Sequence, residues 1–266
     1  MTDIATANSP FRVVPLPRFG RGGRWRTEAM RSYSQPVLIW FTRGQGRITL
    51  AGATRGYGAH NAIFLPPDTM HGFEMSGQVF GSVVYFPKEY DQSLPREPLH
   101  LRFREAQQQA ELTSLVENLQ RETVSDLVGR DRALLNYGGL LAVWLERQAV
   151  SQPEAELNPD TARRMAAAYV ALVERDFHTG KSVNEYAADL GVTPTHLSRV
   201  CNNACGRPAS VLLADRVFFE ARLKLLETPM PVKTIARELG FGSAAYFTRA
   251  FQKNTGQTPT CFRKNS

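Results

Sequence analysis

Val183-Asn184-Glu185-Tyr186-Ala187-Ala188-Asp189-Leu190-Gly191-Val192 lines up with Val232-Lys233-Thr234-Ile235-Ala236-Arg237-Glu238-Leu239-Gly240-Phe241, about fifty residues further on. In each copy an apolar residue and an alanine share one helical face, a leucine closes it, and a glycine supplies the sharp turn into a second helix. A capping residue opens that second helix, Thr193 before Pro194 in the first copy and Ser243 in the second. Both copies then show an apolar, hydroxyl, arginine order: Leu197-Ser198-Arg199 and Phe247-Thr248-Arg249. On this spacing Leu197, Val200 and Cys201, like Phe247, Ala250 and Phe251, face inward and leave the other side to solvent. One such helix-turn-helix pattern is common in bundles that merely fold. Two copies, each followed by a Gly and a Pro (Gly206-Arg207-Pro208 and Gly256-Gln257-Thr258-Pro259), are hard to attribute to chance.

Between the copies, Ala209 to Leu226 keeps helical apolar spacing through Val211, Leu212, Phe218, Ala221, Leu225 and Leu226. About 18 residues at about 1.5 Å each make a rod of about 27 Å. Such a rod holds two exposed helices about one turn of DNA, about 34 Å, apart on one face of a duplex. Charge points the same way. The net +7 lies wholly in residues 161–266, with 15 Lys/Arg against 8 Asp/Glu, while residues 1–160 carry 17 of each. Neutralising phosphates calls for cations gathered on one domain, although a basic solvated surface would give the same count.

Upstream, Ser151 to Asp160 is polar, holds two prolines and has no apolar period, so it reads as a linker, with Asp160 capping a helix from Thr161 to about Phe177. Leu112, Leu115, Val116 and Leu119, then Leu134, Leu135, Leu141, Trp144 and Leu145, predict amphipathic helices over Glu105 to Arg121 and Asp131 to Gln148. Their apolar stripes serve either to cover a sheet or to join a homodimer. From Pro36 to Phe86 short β-rich runs are cut by turn residues. Val37 to Phe41, Arg47 to Leu50, Ala62 to Leu65 and Val79 to Phe86 read as strands, and Arg43-Gly44-Gln45-Gly46 as a turn. A small antiparallel barrel or sandwich is expected there. The organisation is therefore multidomain α and β: residues 1–104 a barrel, 105–150 a helical pair, 151–160 a linker and 161–266 an all-α domain.

Cys201, Cys205 and Cys261 lack the even count of a disulfide-stapled domain, and the i, i+4 pair Cys201/Cys205 is read as buried packing rather than metal ligation. No apolar run approaches the about 20 residues that span a bilayer. The polar start from Met1 to Asn8, followed by Pro10, does not resemble a secretory leader, so a cytoplasmic location is the expectation.

Residues 161–266 resemble the DNA-binding domain of AraC/XylS-type bacterial transcription regulators. The resemblance is carried by Ile235-Ala236, Leu239-Gly240-Phe241, Tyr246-Phe247-Thr248-Arg249-Ala250-Phe251, Gly256, Thr258-Pro259 and Phe262-Arg263. The first copy departs in having Cys201 where the family usually has Phe, and in a shorter Gly-to-Pro turn. The resemblance implies double-stranded operator DNA as partner. Thr195, Ser198 and Arg199 of the first copy and Ala245 and Arg249 of the second would meet base edges, an arginine typically pairing with guanine. Thr193, Ser243, Thr248 and Lys253 would meet phosphates, which position without specifying sequence. Arg263 is read as a solvated charge. Activation, with RNA polymerase as a further partner, is the family habit.

Residues 36–90 resemble, more weakly, the cupin-like sensor barrel of the same family, through Arg43-Gly44-Gln45-Gly46, Phe64-Leu65-Pro66-Pro67, His71 and Tyr85-Phe86. Cupin enzymes gather two His and a Glu on one strand plus a later His. Here His71 alone falls at a fitting place, so a metal-dependent enzyme is disfavoured, and no metal or cofactor is expected. The resemblance implies a small organic effector. Phe73, Gly81 and Val83 stand where sugar-binding relatives place polar contacts, which points to a more apolar ligand such as an aromatic acid. Trp40, Phe64, Phe73 and Tyr85 are the lining candidates, with Arg31 or His71 as the anion partner.

Overall fold

The computed structural model describes residues 11–19, 23–90, 93–151 and 161–264. The expected linker and its cap Asp160 lie outside the described residues, save Ser151. The N-terminal half runs β1 (Arg12–Pro15), α1 (Leu16–Phe19), α2 (Trp25–Glu28), β2 (Val37–Leu50), β3 (Ala53–Tyr57), β4 (Asn61–Leu65), β5 (His71–Tyr85) and β6 (Leu99–Arg102). These strands form one antiparallel sheet in the order β1-β5-β2-β4-β6, with β3 also paired to β2.

Period-2 alternation sorts the side chains of this sheet into two cores. Leu38, Trp40, Ala62 and Phe64 point to one face, where α3 (Ala106–Thr123) and α4 (Arg130–Val150) cover them with Leu112, Val116, Leu119, Leu141, Trp144 and Leu145. Val37, Ile39, Phe41, Ile63 and Leu65 point to the other, joined by Phe73, Val83 and Tyr85. The stretch Arg43 to Gly46, expected as a turn, is strand: β2 passes straight through it with register shifts between Phe41 and Arg43 and between Arg43 and Gln45. Those irregularities change the parity, so that Ile48 shares the side of Phe41, and the sheet curls until Phe41 stacks on Tyr57 at 4.1 Å between ring centroids. Gly44 permits the bend, with φ +92° and a backbone oxygen of Gln78 only 2.6 Å from where a Cβ would stand. β5 likewise begins at His71, ahead of the expected Val79, because its polar outward residues hide the strand in the sequence.

The C-terminal half is helical: α5 (Thr161–Asp176), a 3-10 turn over Phe177–Thr179, α6 (Val183–Asp189), α7 (Pro194–Cys205), α8 (Ala209–Glu227), α9 (Val232–Glu238), α10 (Ala244–Thr255) and α11 (Pro259–Lys264). α8 serves two cores. Its Leu212 packs with Tyr169, Tyr186, Leu197, Cys201 and Cys205, and its Phe218, Ala221 and Leu225 pack with Ile235, Leu239, Phe247 and Phe251. Both cysteines are buried as expected, and burial pushes the Cys201 thiol up to about 12.

The halves meet along a seam that the sequence did not announce. Met30 and Met70 of the first half belong to the core of the first helical pair. Gly52 lies against the backbone of Ala166, with a would-be Cβ 2.7 Å from its carbonyl, and Arg207 reaches Glu74 at 3.2 Å and Asp215 at 2.8 Å. Trp25 of α2 sits against Phe219 of α8 and Phe262 of α11, at centroid distances of 5.6 and 6.1 Å.

Candidate nucleic-acid interface and effector site

Each helix pair is built by local chemistry. Ser182 starts α6 with a capping box: its hydroxyl accepts from Glu185 N, and the Glu185 carboxylate accepts from Ser182 N. Gly191 (φ +67°) and Gly240 (φ +75°) then make the left-handed turns. Gly240 has a second reason to lack a side chain, since its Cβ would fall 2.1 Å from Gly180 N. Thr193 and Ser243 cap α7 and α10 by accepting from His196 N and Tyr246 N at 3.2 Å. Their hydroxyl protons stay free to donate to an anion at the helix N-terminus.

On α7 the exposed side carries Thr195 and Arg199, with Ser198 half-buried, and Arg199 Nη2 lies 3.1 Å from His196 Nδ1. On α10 it carries Ala245, Arg249 and Lys253. Tyr246 is 58% exposed on the first turn of α10, its ring tilted against that of Phe241 at 5.8 Å between centroids. Two expectations need correcting. Thr248 turns its hydroxyl back onto Ala244 O at 2.8 Å, so its proton is committed within the helix and not available to a phosphate. Arg263 is no solvated charge: Nε donates to Leu225 O at 3.0 Å and Nη2 to Met230 O at 2.6 Å, closing the C-terminal end of α8.

In the first half the six effector candidates split. Phe73 and Tyr85 lie within the curled sheet. Trp40 and Phe64 lie on its outer face under α3 and α4, where Trp40 Nε1 donates to Thr113 Oγ1 at 3.3 Å; in β4, and in β2 ahead of its irregularity at Arg43, even-numbered positions cannot share the inner face with odd-numbered ones. Arg31 and His71 are brought together by a two-way backbone bridge of 2.8 and 2.7 Å. Arg31 is 1% exposed. Its Nη1 donates to Thr27 O at 2.6 Å and its Nε to Tyr33 Oη at 3.1 Å, while Nη2 has no hydrogen-bond partner among the described residues. His71 is fully buried, its Nδ1 is 2.9 Å from Thr69 O, and its Nε2 likewise has no partner. Burial, reinforced by the Arg31 charge, holds this imidazole well below the usual histidine range, so it is neutral. The sequence pointed to each residue singly, but not to the bridge that pairs them. Among the described residues no group of three His, Cys, Asp or Glu could hold a metal ion, and no helix is long and apolar enough to cross a membrane.

Comparison with known proteins matches residues 20–136 to the model of the AraC-like ligand binding domain and residues 186–265 to that of a helix-turn-helix domain. The arabinose operon regulatory protein of Salmonella typhimurium is 30% identical over 135 residues, 51% of this chain and 47% of that protein. Transcriptional regulator Rob of the same organism is 32% identical over 85 residues, 32% of this chain and 29% of that one. The chain thus spans about half the length, or less, of the curated relatives it matches. A crystal structure of apo ToxT from Vibrio cholerae covers 96% of this chain and 97% of its own at 14% identity, with a TM-score of 0.45, too loose to position any residue.

Proposed function

Since the chain belongs to the AraC/XylS family, joining an AraC-like ligand-binding domain to a helix-turn-helix domain, we propose that it is a sequence-specific DNA-binding transcription regulator governed by a small organic effector. One observation carries the reading. α7 and α10, both opened by a hydroxyl cap and both exposing an arginine, are packed on the single helix α8 in the half of the chain that holds all the excess positive charge. Arg199 and Arg249 read bases, with Thr195, Ser198 and Ala245 beside them, and Thr193, Ser243 and Lys253 hold phosphates. The 19 residues of α8 make a rod of about 28 Å, a fitting spacer for two successive major-groove entries.

The effector acts by favouring one arrangement of the two halves over another, which requires that it bind those arrangements with different affinity. The chain is an activator that works with RNA polymerase, by family resemblance. It pairs as a homodimer through α4, whose Leu135, Leu140 and Val143 are 52, 56 and 40% exposed beside Gly139, a residue small enough to let a second helix approach. Enrichment of genomic fragments by the purified protein tests the reading. An asymmetric site of about two helical turns is expected; no enrichment over random DNA at fixed salt would reduce the repeat to a structural feature.

A further inference from the structure

Arg31 and His71, buried beside the inner core of the curled sheet, have unmet hydrogen-bond demands of opposite kind. Arg31 is a buried guanidinium whose partners are all neutral: the carbonyls of Thr27 and Ala29 and the phenol of Tyr33. A buried positive charge that meets no carboxylate is costly, and Nη2, left over, is a donor facing a closed interior. The imidazole of His71 shows the reverse. Thr69 O is a carbonyl and can only accept, so the ring proton sits on Nδ1 and Nε2 presents a lone pair. Arg31 and His71 stand directly opposite in an antiparallel bridge, which puts their side chains on one face about 5 Å apart at Cβ. The walls are aromatic: Phe73 is 5.1 Å from the Arg31 guanidinium carbon, and Tyr33 is 5.0 Å from the His71 ring and 5.4 Å from the Tyr85 ring.

We infer that the effector is a hydroxylated aromatic carboxylate, its carboxylate accepting from Arg31 Nη2 and its hydroxyl donating to His71 Nε2. The inference rests on the ligand-binding reading of the first half and gives that site its ligand class. The carboxylate supplies the missing countercharge, the hydroxyl satisfies a lone pair that a plain carboxylate would repel, and the ring packs among Phe73, Tyr33 and Tyr85. A sugar would meet the lone pair but leave the guanidinium without a countercharge. The ligand also touches the seam. Phe219 of α8 is 5.8 Å from the same guanidinium carbon, and Thr27 O, which holds Nη1, belongs to the short helix whose Trp25 rests on α8 and α11. Filling the site therefore acts on the segment that joins sensor to reader.

Calorimetric titration of the full chain with 2-, 3- and 4-hydroxybenzoate, benzoate, phenol and L-arabinose tests this. One hydroxybenzoate is expected to bind about tenfold more tightly than benzoate, roughly the effect of one well-made buried hydrogen bond, and more tightly than phenol or arabinose. Arg31→Met is expected to bring that hydroxybenzoate down to phenol, and His71→Phe to remove its advantage over benzoate. Arabinose or phenol binding best, no carboxylate binding at all, or a hydroxybenzoate preference that survives both substitutions would overturn the inference. Should a variant not fold, the order of the ligands on the unaltered chain decides. Operator binding by the same preparation, with and without each ligand, separates the two claims: DNA bound with no carboxylate bound sinks the ligand assignment alone, and DNA selected under neither condition sinks the regulator reading.

Discussion

Glu174 of α5 grips Arg216 of α8 in a two-point pair, Oε2 to Nε at 2.7 Å and Oε1 to Nη2 at 2.9 Å, and both side chains are nearly buried. Ser32, from the opposite side of the seam, donates to the same carboxylate at 2.7 Å, and Phe177 lies 3.8 Å beneath the guanidinium carbon. A buried pair adds little over an apolar replacement, but removing Glu174 leaves the buried Arg216 with only the more exposed Glu220, 3.1 Å from Nη1, as ionic partner among the described residues. Glu174→Ala is therefore expected to lower the unfolding free energy by about 3 kcal/mol, and Ser32→Ala by about 1 kcal/mol. Urea midpoints check both. Equal, small effects would mean that the pair is solvated.

The two turn glycines give a graded comparison. Gly191 has left-handed φ but open space around its would-be Cβ, so Gly191→Ala costs only backbone strain, about 1 kcal/mol. Gly240 has a similar left-handed φ and also the backbone of Gly180 and Thr179 within 2.5 Å of that position. Gly240→Ala is expected to cost several times more and to abolish operator binding, measured by thermal unfolding and DNA titration. Comparable costs at both positions would contradict the close approach.

Legibility followed local chemistry. The helix pairs, the caps Thr193 and Ser243, the turn glycines and the buried cysteines could be read because each depends on neighbours within a few residues. Arg43 to Gly46 misled because Gly marks a bulge in a continuous strand as readily as a turn. Trp40 and Phe64 were placed with Phe73 and Tyr85 by aromatic character, whereas parity along the strand decides the face. The seam, with Trp25 on Phe219 and Arg31 opposite His71, joins residues far apart in the chain and leaves no periodic trace.

Arg263 gives a way to tell a structural arginine from a reading one. With the carbonyls of Leu225 in α8 and of Met230 just beyond it as partners, Arg263→Ala is expected to lower stability by about 2 kcal/mol and to weaken all DNA sequences alike. A change in base preference at one position would instead make it a reader.

Acid should loosen the sensor half first. Burial, then Arg102 and Arg55, hold His100 down to about 4, and its Nε2 meets Asn61 Oδ1 at 2.9 Å. As pH falls from the ordinary histidine value, the unfolded chain takes up this proton before the folded one. The stability present above about pH 6.5 is therefore lost progressively down to about pH 4, by on the order of 3 kcal/mol. Urea midpoints against pH should show this slope, and His100→Gln should reduce it, leaving the part that the buried His71 contributes; an unchanged slope in the variant would assign it to another group.

The most direct measurement takes the operator recovered by genomic enrichment and determines base preference at every position, at one fixed salt concentration, for the unaltered chain, Arg199→Ala and Arg249→Ala. Two independent readers predict that each substitution relaxes preference at its own position, by about 1–3 kcal/mol, with the two positions about one helical turn apart. A uniform loss of affinity with the sequence preference intact, for both variants, would contradict the claim that α7 and α10 read DNA.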